Sequence, residues 1–170
     1  FITGDSRATL ENSPHLEIFK KKDVEVLFMT EPVDEFILPG FGEYSEKSLK
    51  SISQGDIDLG SEEEKKIAEE QKTEASGKYK KLIKKVQEAL KDDIKEVRLS
   101  DRLTDSASCL VTDEGDINPQ MERIFAAMTQ PVPEVKRILE LNPDHPVLEK
   151  MNTLFDSNKK DPKIADYSEL

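Results

Sequence analysis

Apolar positions change their period several times along the chain. Val24, Val26, Leu27, Phe28 and Met29 form a short run rich in β-branched and aromatic residues. Such a run predicts a strand buried on both faces. Thr30-Glu31-Pro32 ends it, since proline has no amide for a strand ladder and its fixed φ suits a helix start. Val33, Phe36 and Ile37 then return at helical spacing, with Glu31, Asp34 and Glu35 at the helix N-terminus, where the macrodipole favours acidic groups. Upstream, Phe1-Ile2-Thr3 reads as the tail of a strand and Gly4-Asp5-Ser6 as a turn and cap. A short helix to Glu11 follows, then a second from Ser13-Pro14 to about Lys21, with Leu16 and Phe19 facing inward. Strand, helix, strand in that order predicts a parallel pair. Gly40 and Gly42 break the helix from Pro32, and residues 49–52 alternate as an edge strand would.

Residues 54–60 are polar and contain two glycines, which marks a boundary between an α/β piece at 1–59 and an α+β domain at 60–170. Ser61-Glu62-Glu63-Glu64 fits a capping box at the start of a long helix. Its first half holds one sizeable apolar residue, Ile67. Its second half carries the stripe Tyr79, Leu82, Ile83, Val86 and Leu90, beyond Gly77. A helix linking two domains reads this way, and so does a solvated helix that only connects. Residues 94–103 and 107–112 predict two strands joined by a hairpin turn at Thr104-Asp105-Ser106, with Cys109 in the second. Residues 134–141 predict a third strand pairing with them. Asn118-Pro119 caps a helix that Pro131 ends, and Pro146 opens another with Val147, Leu148, Met151 and Leu154. Residues 156–166 read as polar and mobile.

Composition narrows the classes. The 170 residues carry 36% charged and 35% hydrophobic side chains, with a net charge of −11. That balance argues against nucleic acid and anionic membranes, which attract clustered Lys and Arg. No apolar run approaches the ~20 residues of a membrane helix. A single cysteine leaves no internal disulfide and fits the reducing cytoplasm. The chain begins at Phe1 without a leader and reads as an excised piece, so its targeting is not legible.

Catalytic chemistry is hard to find. His15 and His145 both fall in the first turn of a predicted helix, which suits capping or packing better than metal binding. Cys109 has no histidine neighbour, and no Ser-His-Asp order is compelling. The acidic loop at 113–116 lacks the glycine and closing glutamate of an EF-hand. Gly40-Phe41-Gly42 lacks the lysine of a phosphate loop. No catalytic residue, metal ligand or cofactor site is assigned.

Six stretches, in order, carry a resemblance. They are FITGDS at Phe1, SPHLE at Ser13, the segment 24–36, DRLTDSAS at Asp101, QMERIFAA at Gln120 and LELNPDHPVL at Leu139. Together they resemble the heat-shock protein 90 chaperone family, its bacterial members above all, over nearly the whole chain. The resemblance implies the end of the middle domain followed by most of the C-terminal domain. It further implies an ATP-dependent chaperone in full length, with ATP, Mg and the arginine that reaches the γ-phosphate all upstream of Phe1. Homodimerisation would run through closing helices that begin near Tyr167. An acidic α/β adaptor that binds one specific protein partner is the alternative.

The helix predicted over 118–130 carries the sharpest functional expectation. Ile117, Met121, Ile124, Phe125 and Met128 recur at i, i+4, i+7, i+8 and i+11, on one face. Packing on the three-stranded sheet would explain such a face. Two methionines favour a surface that fits many partners. By the resemblance, this helix helps bind unfolded client proteins, and Phe36 is a second contact.

Overall fold

The computed structural model describes residues 1–41, 43–129, 131, 135–158 and 164. In chain order the elements are β1 (Ile2–Thr3), α1 (Arg7–Glu11), α2 (Glu17–Lys21), β2 (Phe28–Met29), α3 (Asp34–Ile37), β3 (Glu43–Tyr44), β4 (Lys47–Ser48), α4 (Glu62–Ala89), β5 (Ile94–Leu99), β6 (Ser108–Val111), α5 (Pro119–Ala127), β7 (Arg137–Leu141) and α6 (Pro146–Ser157). The fold is mixed α/β, as the hydrophobic pattern predicts. The chain forms two compact units, 1–56 with 112–135 and 57–111 with 136–170.

In the first unit β1 and β2 pair in parallel, Ile2 opposite Phe28 and Thr3 opposite Met29. Ser6 caps α1 by accepting from the Thr9 amide. Ser13 accepts from the His15 amide and opens a 3-10 turn, Pro14–Leu16, that leads into α2. Leu10, Leu16, Phe19, Ile2 and Ile52 are buried here. The strand predicted over 24–29 is much reduced. Only Phe28 and Met29 are in strand, both half-buried, while Val24 and Leu27 are 40% and 45% exposed. A run is buried on both faces only where two layers cover it, and this pairing is two residues long.

The apolar residues at helical spacing around α3 point outward. Val33, Phe36 and Ile37 are about half exposed, and the buried residue of that helix is Glu35. The edge strand expected at 49–52 is absent, and the pairing lies earlier, in the β3–β4 hairpin. Its turn residues Ser45 and Glu46 both take positive φ, +50° and +62°. Asn and Gly usually mark such a turn, and neither stands there. The segment 112–135 joins this unit through backbone bonds: the Thr112 amide donates to Ser53 (3.1 Å) and the Gly55 amide to Thr112 (2.9 Å). Gly55 sits at φ +58°, which favours glycine.

The second unit is built on α4. The capping box forms, with Ser61 Oγ accepting from the Glu64 amide (3.3 Å) and Glu64 Oε2 from the Ser61 amide (2.7 Å). Tyr79, Leu82 and Val86 are buried, and Ile67 is exposed. They pack with Ile94, Val97, Leu99 and Leu141 of the sheet, Leu148, Met151 and Phe155 of α6, and Ile164. The sheet order is β5-β7-β6, with β7 parallel to β5 and antiparallel to β6. The hairpin predicted at 104–106 is therefore not one, because β7 separates the two strands. Arg102 and Leu103 are buried in the connection, which runs inward as a loop instead of turning tightly over the edge. α6 continues through Ser157 and Ile164 is buried, so the polar segment predicted at 156–166 is partly structured. Most of it, with 167–170, lies outside the described residues.

Candidate functional site

The first unit presents the least covered apolar surface. Asn118 precedes α5 in extended backbone, and its Oδ1 accepts from the Met121 amide at 2.8 Å, while Pro119 occupies the first turn. α5 ends at Ala127, short of Pro131, and Thr129 follows with φ +56°. Gln130 lies outside the described residues. No residue of this helix is buried. Ile117, Met121, Ile124 and Phe125 are half-buried, and Met128 is 55% exposed. The predicted stripe is thus a real face, with every member in partial contact with solvent.

Side-chain links at Asn118, Gln120 and Arg123 tie α5 to its own unit. Asn118 Nδ2 donates to Glu35 Oε2 at 2.8 Å, which brings α3, and Phe36 with it, beside the start of α5. Farther along, Arg123 pairs with Asp5 on the surface. Gln120, first, and Arg123 hold the Asp5 carboxyl below its usual range by donating to its charged form. Phe36 itself is 52% exposed. Next to it, an open apolar groove of about 290 Å³ is lined by Leu27, Met29, Asp34, Ile37, Leu38, Phe41, Tyr44 and Leu49. Sequence pattern did not reveal this groove, because residues assigned to a buried strand, Leu27 and Met29, form part of its wall.

Sequence reading also missed the polar centre of the second unit. Glu140, on the middle strand and 2% exposed, accepts from Arg98 Nη2 (2.8 Å), Ser100 Oγ (2.7 Å) and Arg102 Nε (2.8 Å). Burial pushes its carboxyl up, but Arg102, Ser100 and Arg98 outweigh burial and the net direction is down. Arg102 is 2% exposed as well. Such a closed network fixes loop 100–103 to the sheet. The signal that could have found it was the acidic residue set between Leu139 and Leu141 in the RILEL segment. His145 caps α6, its Nδ1 accepting from the Val147 amide at 3.2 Å, as its position predicted. Cys109 is buried in β6. Among the described residues no group of three or more His, Cys, Asp or Glu side chains is placed to hold a metal ion.

Comparison with known proteins supplies the relationship. A family model described as "Hsp90 protein" matches residues 1–170. The chain is 57% identical over 170 residues to the chaperone protein HtpG of Geobacter sulfurreducens and 55% identical to that of Geobacter metallireducens. It is 43% identical over 171 residues to the chaperone protein HtpG of Streptomyces coelicolor. In each case all of this chain is covered and 26% of the relative, so the chain spans about a quarter of the length of the relatives it matches.

Proposed function

The chain belongs to the Hsp90 family, and from that premise we propose that it is the client-binding part of an ATP-dependent chaperone, with no enzyme activity of its own. One observation carries the reading. α5 and its flanks bear five apolar side chains on one face, Met121, Ile124 and Phe125 within the helix and Ile117 and Met128 just beyond its ends, and none of the five is buried. A stripe that is part of a core would be covered, whereas one that receives other chains must stay accessible. Its two methionines add a soft, adaptable surface suited to varied apolar segments. Phe36, exposed on the same unit, extends the apolar surface. In this reading residues 1–59 close the middle domain and 60–170 form most of the C-terminal domain. ATP and Mg bind elsewhere in the whole protein, which acts as a homodimer in the cytoplasm and binds neither nucleic acid nor membrane. Among the described residues no helix is long and apolar enough to cross a membrane.

Light scattering tests this proposal against a single-partner adaptor. The chain is added to two or three unrelated proteins as they aggregate on dilution from denaturant. A client-binding unit slows aggregation of all of them in a dose-dependent way. Protection of none, or of one alone, rejects it.

A further inference from the structure

Glu35 is the only acidic residue of α3 to be buried, at 5% exposure, among a helix whose apolar residues face solvent. Apolar side chains normally hold a helix down and charged ones face water, so this arrangement is inverted and requires a reason. Glu35 Oε2 accepts from Asn118 Nδ2 at 2.8 Å, while Oε1 is buried with no hydrogen-bond partner among the described residues. Asn118 in turn uses its other amide atom, Oδ1, to accept from the Met121 amide. One side-chain amide thus bridges a buried carboxylate and the first turn of α5, across 83 residues of sequence. The carboxylate also lies at the positive end of the α5 dipole, where negative charge is favoured.

We propose that Glu35 is a positioning residue for α5. Its carboxylate orients the Asn118 amide so that Oδ1 points at the Met121 amide, and it thereby sets where the helix starts and how firmly its first turn is held. α5 buries none of its residues fully, so the partial cover on its apolar face is weaker packing than a core helix has, and the polar link at its start carries more of its placement. The exposed Asp5–Arg123 pair is a weaker second tether, because solvent screens it. The proposal rests on the client-binding reading only for its consequence, a stripe held ready in one orientation. Whether the latch exists is decided without any client.

Hydrogen exchange of the chain by NMR is the test, read at the amides of residues 121–127, with Leu82 and Val86 of α4 as internal controls. Asn118→Asp keeps a good cap but sets a second carboxylate against Glu35. Protection in α5 should fall about tenfold or more, since a charge-assisted bond is replaced by repulsion. The double variant Glu35→Gln/Asn118→Asp reverses the polarity of the bond, with Gln donating to Asp, and keeps the pair at one negative charge. It should restore protection to within about threefold of the parent. A residue that matters only for packing would show no such rescue. Glu35→Ala removes the carboxylate without repulsion and should also lower protection, with the α4 controls unchanged. Unaltered α5 protection in Asn118→Asp or in Glu35→Ala, or equal loss in the swapped double variant, overturns the proposal.

Discussion

Two helices of this chain carry apolar stripes of the same helical period and meet opposite fates. On α4, Tyr79, Leu82 and Val86 are at most 2% exposed, locked between the sheet and α6. On α5, no residue is buried, and the stripe's last member, Met128 at the helix C-cap, is more than half exposed. Periodicity locates a face on each helix, but what covers the face depends on partners distant in sequence. The α4 stripe meets β5, β7 and α6, each of which brings its own apolar side. α5 is held by polar links at Asn118, Gln120 and Arg123, and its apolar face is only partly covered. A helix fixed by a few polar bonds can be stable in place and still keep its apolar side accessible.

In the second unit Glu140 and Arg102 are each 2% exposed. Arg102→Leu removes the buried partner of Glu140 and should cost about 3–5 kcal/mol by urea unfolding, because a carboxylate is left buried with weaker pairing. The acid response should change too. Glu140 titrates below its ordinary value of 4.5 in the folded chain. Its stabilising contribution is therefore complete above that value and is lost as pH falls below it toward the folded value. In Arg102→Leu, burial acts with less opposition, so this acid loss should shrink. An unchanged acid limb would mean that Glu140 does not govern it.

Leu82→Ala should cost about 2–5 kcal/mol, as a large truncation in a packed core does. The matching change on the other helix, Met121→Ser with Phe125→Ser, should cost less, about 1–2 kcal/mol, because both side chains are only half-buried. Equal losses from the two would erase the distinction between the stripes. The smallest effect is a gain. Gly77 lies inside α4, and a methyl added there would meet nothing within 4 Å. Gly77→Ala should therefore stabilise the chain by about 0.5–1 kcal/mol, read as a raised thermal midpoint.

Local chemistry was legible in the sequence wherever a single turn decided the outcome. The Ser61–Glu64 box, the caps at Ser6, Ser13, Asn118 and His145, and the α4 stripe all depend on residues within a few positions of one another. Long-range pairing was not legible. Nothing near residues 104–106 says that β7 will insert between its neighbours, since β7 lies far from both in sequence, and Arg98 and Arg102 bind its Glu140 from about forty residues away. Buried Glu35 likewise finds its partner, Asn118, 83 residues away. The reading of 24–29 failed for a related reason. An apolar run fixes only the demand for cover, and Leu27 and Met29 instead line an open groove. The α5 face was found from spacing, but its accessibility required the coordinates.

The role proposed for the α5 stripe is to receive apolar segments of unfolded proteins. Fluorescence anisotropy of a labelled, permanently unfolded protein, titrated with the chain and with its Met121→Ser/Phe125→Ser variant, tests it most directly. Saturable binding by the parent and an affinity at least about fivefold weaker for the variant are expected, about 1 kcal/mol in binding free energy, with the variant still folded by circular dichroism. Equal affinity of the two, or no binding by the parent, would contradict the claim.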